Sequence, residues 1–427
     1  MSDLDMMLRF MLQVLVVLTT CRLLGWLGQK FLGQSQVTME MIAGVVLGPS
    51  VFGALAPSTQ QYLFPQSDGG TRHPSMTILY VVAQIGLILY MFVIGLELDL
   101  GLIRSRSRAA LGVSLAGIIL PFVLGCAVYF LFLENRTDMF GHQIQPSIAA
   151  IYVGAAMCIT AFPMLARIIY EAGISGTPLG TLAIGAGASD DVAAWSLLAI
   201  VLAVSKGDVF IAAWAIGGGI LFVTVALTLI RKLITHLETL EDYEKGISQS
   251  TFGLVVLILF AGAWFTDAIG VYAVFGAFTI GVAMPKGQLA KAVQTRIEPL
   301  AVNLFLPFFF VFSGLNTKIG ALTSGEHWLI VGAVLVAAIG GKLGGCYAAA
   351  RLCREPHRQA IMIGVLMNSR GLMELIILNI GLQQGVITQT FYTIMVVMAI
   401  VTTLMATPLF RRVYGKGFAI EPTTNLA

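Results

Sequence analysis

Two adjacent acids, Asp190 and Asp191, stand in the middle of an apolar run that reads Gly185-Ala186-Gly187-Ala188-Ser189-Asp190-Asp191. A lysine, Lys342, interrupts a second run, Gly340-Gly341-Lys342-Leu343-Gly344-Gly345, and Arg370 and Glu374 interrupt a third. At mid-bilayer a charged side chain costs at least about 2.5–3.5 kcal/mol, so in a membrane each of these residues is expected to have a function. Successive helical residues point about 100° apart, so the two aspartates cannot both face one ligand from a regular helix. One can face a water-filled cavity and bind a cation while the other turns to a neighbouring helix and pairs with a buried base such as Lys342. The small residues around both sites, Gly185, Gly187 and Ala188 on one side and Gly340, Gly341, Gly344 and Gly345 on the other, are expected to let helices approach closely. A static ion pair between helices is the alternative, and it accounts for one acid while leaving the other unpaired. Arg370 and Glu374, spaced i, i+4, either neutralise each other on one helix face or serve the site; the spacing fits both.

The elements that must position these residues are membrane helices. The chain has 427 residues, 57% hydrophobic and 11% charged, against about 25% charged for a soluble domain. Its apolar residues fall in runs of about 20, the length that crosses hydrocarbon. The breaks predict an all-α membrane protein of about 13 spans, near 6–29, 36–53, 75–97, 107–133, 146–171, 178–205, 208–231, 248–267, 268–284, 298–315, 327–350, 357–384 and 388–410. A short glycine-rich second span and the thin division at 267–270 leave 12 open. The fifth span contains Thr160-Ala161-Phe162-Pro163 and the twelfth Asn368-Ser369-Arg370-Gly371. Proline removes a helical hydrogen bond, and polar side chains with glycine permit unwound backbone, so Pro163, Asn368 and Gly371 mark expected helix breaks. Two interrupted helices in corresponding positions of two halves point to an inverted-repeat transporter.

Lys and Arg concentrate in alternate loops, around 104–108, 231–245, 286–296 and 351–358 and after 410. Cytoplasmic loops hold such an excess, which predicts an outside N-terminus and a cytoplasmic C-terminus. Asp3 and Asp5 lie where a secretory signal would be basic, so the first apolar run is expected to be retained. The charge mixture at 237–245 reads as a solvated connector rather than an interfacial helix. Glu97 and Asp99 are expected at the cytoplasmic interface, and Arg167 against a headgroup or loop carboxylate. The five cysteines are scattered without Cys-x-x-Cys spacing and read as small apolar fillers. The five histidines form no i, i+4 pair, and no phosphate-binding glycine loop, nucleophile elbow or zinc spacing occurs, which argues against an ATP-driven pump or a hydrolase.

Taken together, five motifs resemble those of the monovalent cation/proton antiporter superfamily, in the branch holding glutathione-gated potassium efflux proteins and plant cation/proton exchangers. They are Gly44-Val-Val-Leu-Gly-Pro-Ser-Val-Phe-Gly53, Met91-Phe-Val-Ile-Gly-Leu-Glu-Leu-Asp99, Ile159-Thr-Ala-Phe-Pro-Met-Leu-Ala-Arg167, Ala188-Ser-Asp-Asp-Val-Ala-Ala-Trp195 and Asn368-Ser-Arg-Gly-Leu-Met-Glu-Leu-Ile376. The resemblance covers nearly the whole chain. It implies a homodimer in a membrane, expected to be a bacterial inner (plasma) membrane. Each subunit would have a core panel, approximately 107–205 and 327–410, and a dimerisation panel, approximately 6–53 and 208–315. A short cytoplasmic tail would follow from 416, without the long cytoplasmic domains of those relatives. The fifth and twelfth spans would be the two crossed, discontinuous helices.

By the same resemblance Asp191 binds the monovalent cation or the proton, with Asp190 as its partner and Thr160 and Ser189 as polar neighbours. Lys342 matches the membrane lysine that pairs with the first aspartate, and Arg370 and Glu374 supply supporting charge. Where some sodium-selective relatives place an acid, this chain has Ala161, which leaves Na+ and K+ both open. The implied function is exchange of Na+ or K+ for H+ by alternating access, electrogenic and not enzymatic, serving pH homeostasis. No cofactor is implied beyond the transported ions. The implied partners are a second copy and membrane lipids, and no nucleic acid. A cation channel, or an organic-anion transporter in which Arg370 binds a carboxylate, are the alternatives.

Overall fold

The computed structural model describes residues 3–34, 36–65, 73–97, 107–141, 144–174, 177–205, 209–241, 247–315 and 322–415. Asp99, His142, much of the basic loop content (Arg104, Arg106 and Lys245 among it), the Arg167 side chain and the tail from 416 lie outside the described residues. Described backbone is helical almost throughout, with one isolated bridge between Phe140 and Ile387. In chain order the helices are α1 (Asp3–Leu27), α2 (Gln36–Leu47), α3 (Phe52–Leu55), α4 (Pro57–Leu63), α5 (Pro74–Glu97) and α6 (Ser107–Val128). Then come α7 (Pro146–Cys158), α8 (Phe162–Glu171), α9 (Pro178–Ser205), α10 (Val209–Val225), α11 (Arg231–Leu240), α12 (Gln249–Ala268) and α13 (Ala273–Ala283). The last are α14 (Gln288–Leu300), α15 (Leu306–Leu315), α16 (Gly325–Leu352), α17 (His357–Met367), α18 (Leu372–Gln383) and α19 (Gln389–Tyr414). Single π turns at Gly28–Leu32, Tyr129–Leu133, Ala226–Ile230 and Ala301–Phe305 extend or join neighbouring helices.

Among the described residues nine helices are long and apolar enough to cross a membrane, and Pro146–Cys158 and Ala273–Ala283 are shorter apolar helices. The predicted fifth and twelfth spans are each two half-helices, α7 with α8 and α17 with α18, interrupted at 159–161 and 368–371. Pro163 is not in the first interruption but second in α8, where its missing N–H would have had no helical acceptor. Of the 237–245 stretch, 237–240 are helix rather than connector and 242–245 lie outside the described residues: α11 follows α10 through the π turn Ala226–Ile230, its charges alternate with Leu233, Ile234, Leu237 and Leu240 at helical spacing, and Ile234 is buried.

The chain divides into two compact units. The first comprises Met1–Cys21, Phe52–Leu100 and Leu202–Phe312, the second Arg22–Val51, Gly101–Val201 and Ser313–Ala427, so the stretch 6–53 is shared between them. Inside the first unit α5 and α13 meet at Gly95 and Gly281, where added Cβ atoms would lie 2.3 Å from the Phe278 carbonyl oxygen and 2.2 Å from that of Phe92. Lys286 donates to the carbonyls of Gly95 and Leu96 near the end of α5, where the helix dipole favours a cation. Many apolar side chains of this unit face outward, among them Leu8, Trp214, Leu257 and Trp264, as expected of a surface met by lipid or another apolar partner.

Inside the second unit α6 lies against α16. A Cβ at Gly345 would come within 2.7 Å of the Ala116 carbonyl oxygen, and one at Gly341 within 3.0 Å of Pro121. Gly340 and Gly344 have nothing within 4 Å, so only alternate glycines of this run serve the approach. Such contacts bring backbones together where no hydrophobic force drives helices to associate.

Candidate functional site

The two interruptions meet. Ala161 N–H donates to the Ser369 carbonyl at 3.1 Å, and the Thr160 hydroxyl lies 3.4 Å from the Met367 carbonyl. Thr160, Ala161, Asn368 and Ser369 are buried. Backbone freed from helical bonding at this depth needs partners from protein, and each broken helix supplies them to the other. Arg370 extends the arrangement: Nη1 donates to Ala156 O at 3.3 Å and Nη2 to Met157 O, the free carbonyls at the end of α7. Its own carbonyl accepts from the Thr403 hydroxyl of α19. A guanidinium at a helix C-terminus answers both the unpaired carbonyls and the dipole.

Arg370 also faces Glu374 at 3.6 Å, on the next turn. Both side chains are buried. The ion pair that their spacing allows is therefore present, and Nη1 and Nη2 donate to backbone carbonyls.

Asp190 and Asp191 stand midway along α9, each 1% exposed. Asp190 is surrounded by donors. Lys342 Nζ lies 2.7 Å from Oδ2, the Thr160 hydroxyl 2.5 Å from Oδ2, and the Ser114 hydroxyl 2.6 Å from Oδ1. Lys342, fully buried on α16, gives its other two N–H groups to Gly117 O at 2.8 Å and Cys158 O at 2.5 Å. Three donors on the ammonium meet three acceptors, so the buried pair has the full hydrogen bonding that its desolvation requires.

Asp191 differs. Neither of its oxygens has a hydrogen-bond partner among the described residues. Ser189, expected beside the ion, donates its hydroxyl to Gly185 O at 2.9 Å within its own helix. One helical step thus separates a carboxylate locked to a lysine from one without a hydrogen-bond partner. Buried charge without a fixed partner is costly, and it is satisfied by a proton or by a metal cation. Among the described residues no three His, Cys, Asp or Glu side chains gather as a metal cluster.

Ser114, Gly117 and Thr403 were not distinguished by the sequence. The available signal was weak: a serine three residues before a glycine inside an apolar helix, and a threonine pair in another. Glu40, a buried acid of α2 that accepts from Gln36 at 3.0 Å, also went unmarked because it lies near the start of its span.

Known proteins resemble this chain in sequence and in fold. Residues 15–413 match the family model for the transmembrane region of sodium/hydrogen exchangers. The Na(+)/H(+) antiporter NhaS4 of Synechocystis sp. is 37% identical over 414 residues, covering 96% of this chain and 98% of that protein. Cation/H(+) antiporter 17 of Arabidopsis thaliana is 38% identical over 411 residues, but the chain spans only 48% of its length. The solved structure of the sodium proton antiporter MjNhaP1 from Methanocaldococcus jannaschii superposes with a TM-score of 0.65 at 14% identity, covering 95% of this chain and 96% of that one, a likeness of fold.

Proposed function

From the premise that the chain belongs to the sodium/hydrogen exchanger family, we propose that it exchanges a monovalent cation, Na+ or K+, for H+ across a membrane, with Asp191 as the carboxylate for which the two ions compete. The carrying observation is the contrast on α9: Asp190 has donors on both oxygens, while equally buried Asp191 has no side-chain donor. A proton and a cation cannot both neutralise one carboxylate, so occupancy by one drives out the other and the two flows are coupled. Asp190 with Lys342 contributes a fixed, hydrogen-bonded pair beside the exchanging group, and Thr160 ties that pair to the interruption between α7 and α8. Support for the cation class comes from the sodium and cation specificity in the names of the similar proteins.

The proposal extends to alternating access by a homodimer, with the segments 107–205 and 327–410 forming the panel that presents Asp191 to each side. It also places the C-terminus in the cytoplasm of a bacterial inner membrane, where exchange would serve pH homeostasis. Electrogenic exchange is a further extension, in which Lys342 releases a proton as the cation binds Asp191; transport indifferent to an imposed membrane potential would reject it. The central test is Asp191→Asn reconstituted in proteoliposomes. Cation-driven proton movement is expected to vanish while the protein stays folded and dimeric, and retained exchange would refute the assignment.

A further inference from the structure

Proline inside a helix leaves the carbonyl one turn back without its amide partner, and in α19 Pro408 does this to Leu404. Gln34, 370 residues earlier in the chain and 7% exposed, answers it: its Nε2 donates to the Leu404 carbonyl at 2.9 Å. The turn that carries Gln34 is shaped for this place. Gly33, at φ 60°, closes the π turn Gly28–Leu32 in a left-handed conformation that glycine adopts without strain. The Arg411 guanidinium of α19 lies against it, 2.3 Å from where a Cβ would stand. The Gln34 backbone N–H, given to Gly28 O at 3.1 Å, fixes the base of the side chain. Next to Leu404 on α19 is Thr403, whose hydroxyl donates to the Arg370 carbonyl at the second interruption. The Arg370 guanidinium closes the end of α7, and Thr160 in the first interruption donates to Asp190. One turn of α19, missing a bond of its own helix, is thus held by Gln34 and itself holds the crossing beside the aspartates.

We propose that Gln34 is a positioning residue for cation exchange: its amide replaces the hydrogen bond that Pro408 denies α19 and so keeps Thr403 in register on the interruption. The inference rests on the exchange reading of Asp191. Without the amide, the Leu404 carbonyl becomes a buried acceptor with no donor, and its turn rearranges to satisfy it. Thr403 moves with that turn, and the crossing is aligned for only part of the time. Apparent affinity for the cation then falls in proportion to the aligned fraction. Saturating cation draws the population back to the aligned form, so kcat changes less than KM.

The experiment is cation-driven proton movement in proteoliposomes at one fixed pH, with Na+ and then K+, comparing the parent, Gln34→Met, Pro408→Ala and the double variant. Gln34→Met keeps the length of the side chain and removes the donor. Its KM for the transported cation is expected to rise about fivefold or more, with kcat within about twofold of the parent's. In the Pro408→Ala background a main-chain amide at position 408 can reach the Leu404 carbonyl, and adding Gln34→Met is expected to change KM by less than about twofold. A lowered melting midpoint with KM unchanged would mark a merely structural glutamine and overturn the inference. An equal rise in KM in both backgrounds would show that Gln34 does not act through the carbonyl that Pro408 frees, and would overturn it too. Should Gln34→Met fail to fold, Gln34→Asn, whose amide sits one carbon short of the carbonyl, is read against the same criteria. A parent that exchanges no cation overturns the antiport reading as well; an active parent indistinguishable from the variant overturns this inference alone.

Discussion

Lys342 gives one N–H to an acid and two to backbone carbonyls, and each of those acceptors is fixed by the fold. Truncating one partner of such a buried pair costs about 3–5 kcal/mol, because the other charge stays behind uncompensated. Lys342→Ala is therefore expected to lower the thermal midpoint in detergent by several degrees or more. Lys342→Arg should not restore it, since a planar fork of five donors replaces three converging on a point. An unchanged midpoint for Lys342→Ala would show that the pair is dispensable for the fold. The two aspartates, the lysine and the arginine were legible in the sequence because ionised groups in apolar runs are rare enough to stand out. Ser114 was not, because a serine inside a helix has two uses for its hydroxyl, and type alone cannot tell the outward use of Ser114 from the inward use of Ser189.

Glycines divide by face along α16. At Gly345, valine would drive its Cβ against the Ala116 carbonyl, backbone that cannot turn aside, and the overpacking is expected to cost about 1–3 kcal/mol. Gly344→Ala, with open space, should be neutral or stabilising by up to about 1 kcal/mol through helix propensity. Comparing the two melting midpoints tests the face assignment, and equal losses would contradict it. Near the start of α12, hydrogen bonds from the Thr251 hydroxyl and then from Ser248 hold the exposed Glu241 carboxyl below the usual carboxylate range. Its folded value is lowered, so its contribution is present above the ordinary carboxylate pKa of about 4.3 and is lost as the pH falls through the lowered value. Thr251→Val should flatten that acid-side dependence in a melting series, and a slope identical to the parent's would count against the Thr251–Glu241 hydrogen bond. Both helix interruptions were legible from polar and glycine residues inside long apolar spans. The helicity of α11 was not, because charged residues at mixed spacing read equally as solvated loop until Ile234 is seen to be buried.

For the molecule as a whole, the proposed orientation puts the 351–358 turn in the cytoplasm. Cys353 in that turn is exposed, whereas Cys21, Cys158 and Cys346 are buried. A membrane-impermeant maleimide is expected to label Cys353 in inside-out vesicles and to spare it in right-side-out cells; the reverse pattern would invert the topology. Which helices join which compact unit was less legible, because grouping depends on contacts between segments far apart in sequence, which hydropathy does not encode.

The meeting of the two interruptions carries one more consequence. Broken helices ordinarily fray first, and their amides exchange with deuterium soonest. Here the Ala161 amide is given to Ser369, Arg370 closes the carbonyls at the end of α7, and the surrounding residues are buried. Isotope uptake followed by mass spectrometry should therefore run backwards along these segments, fastest at their outer ends and slowest where the helical winding stops.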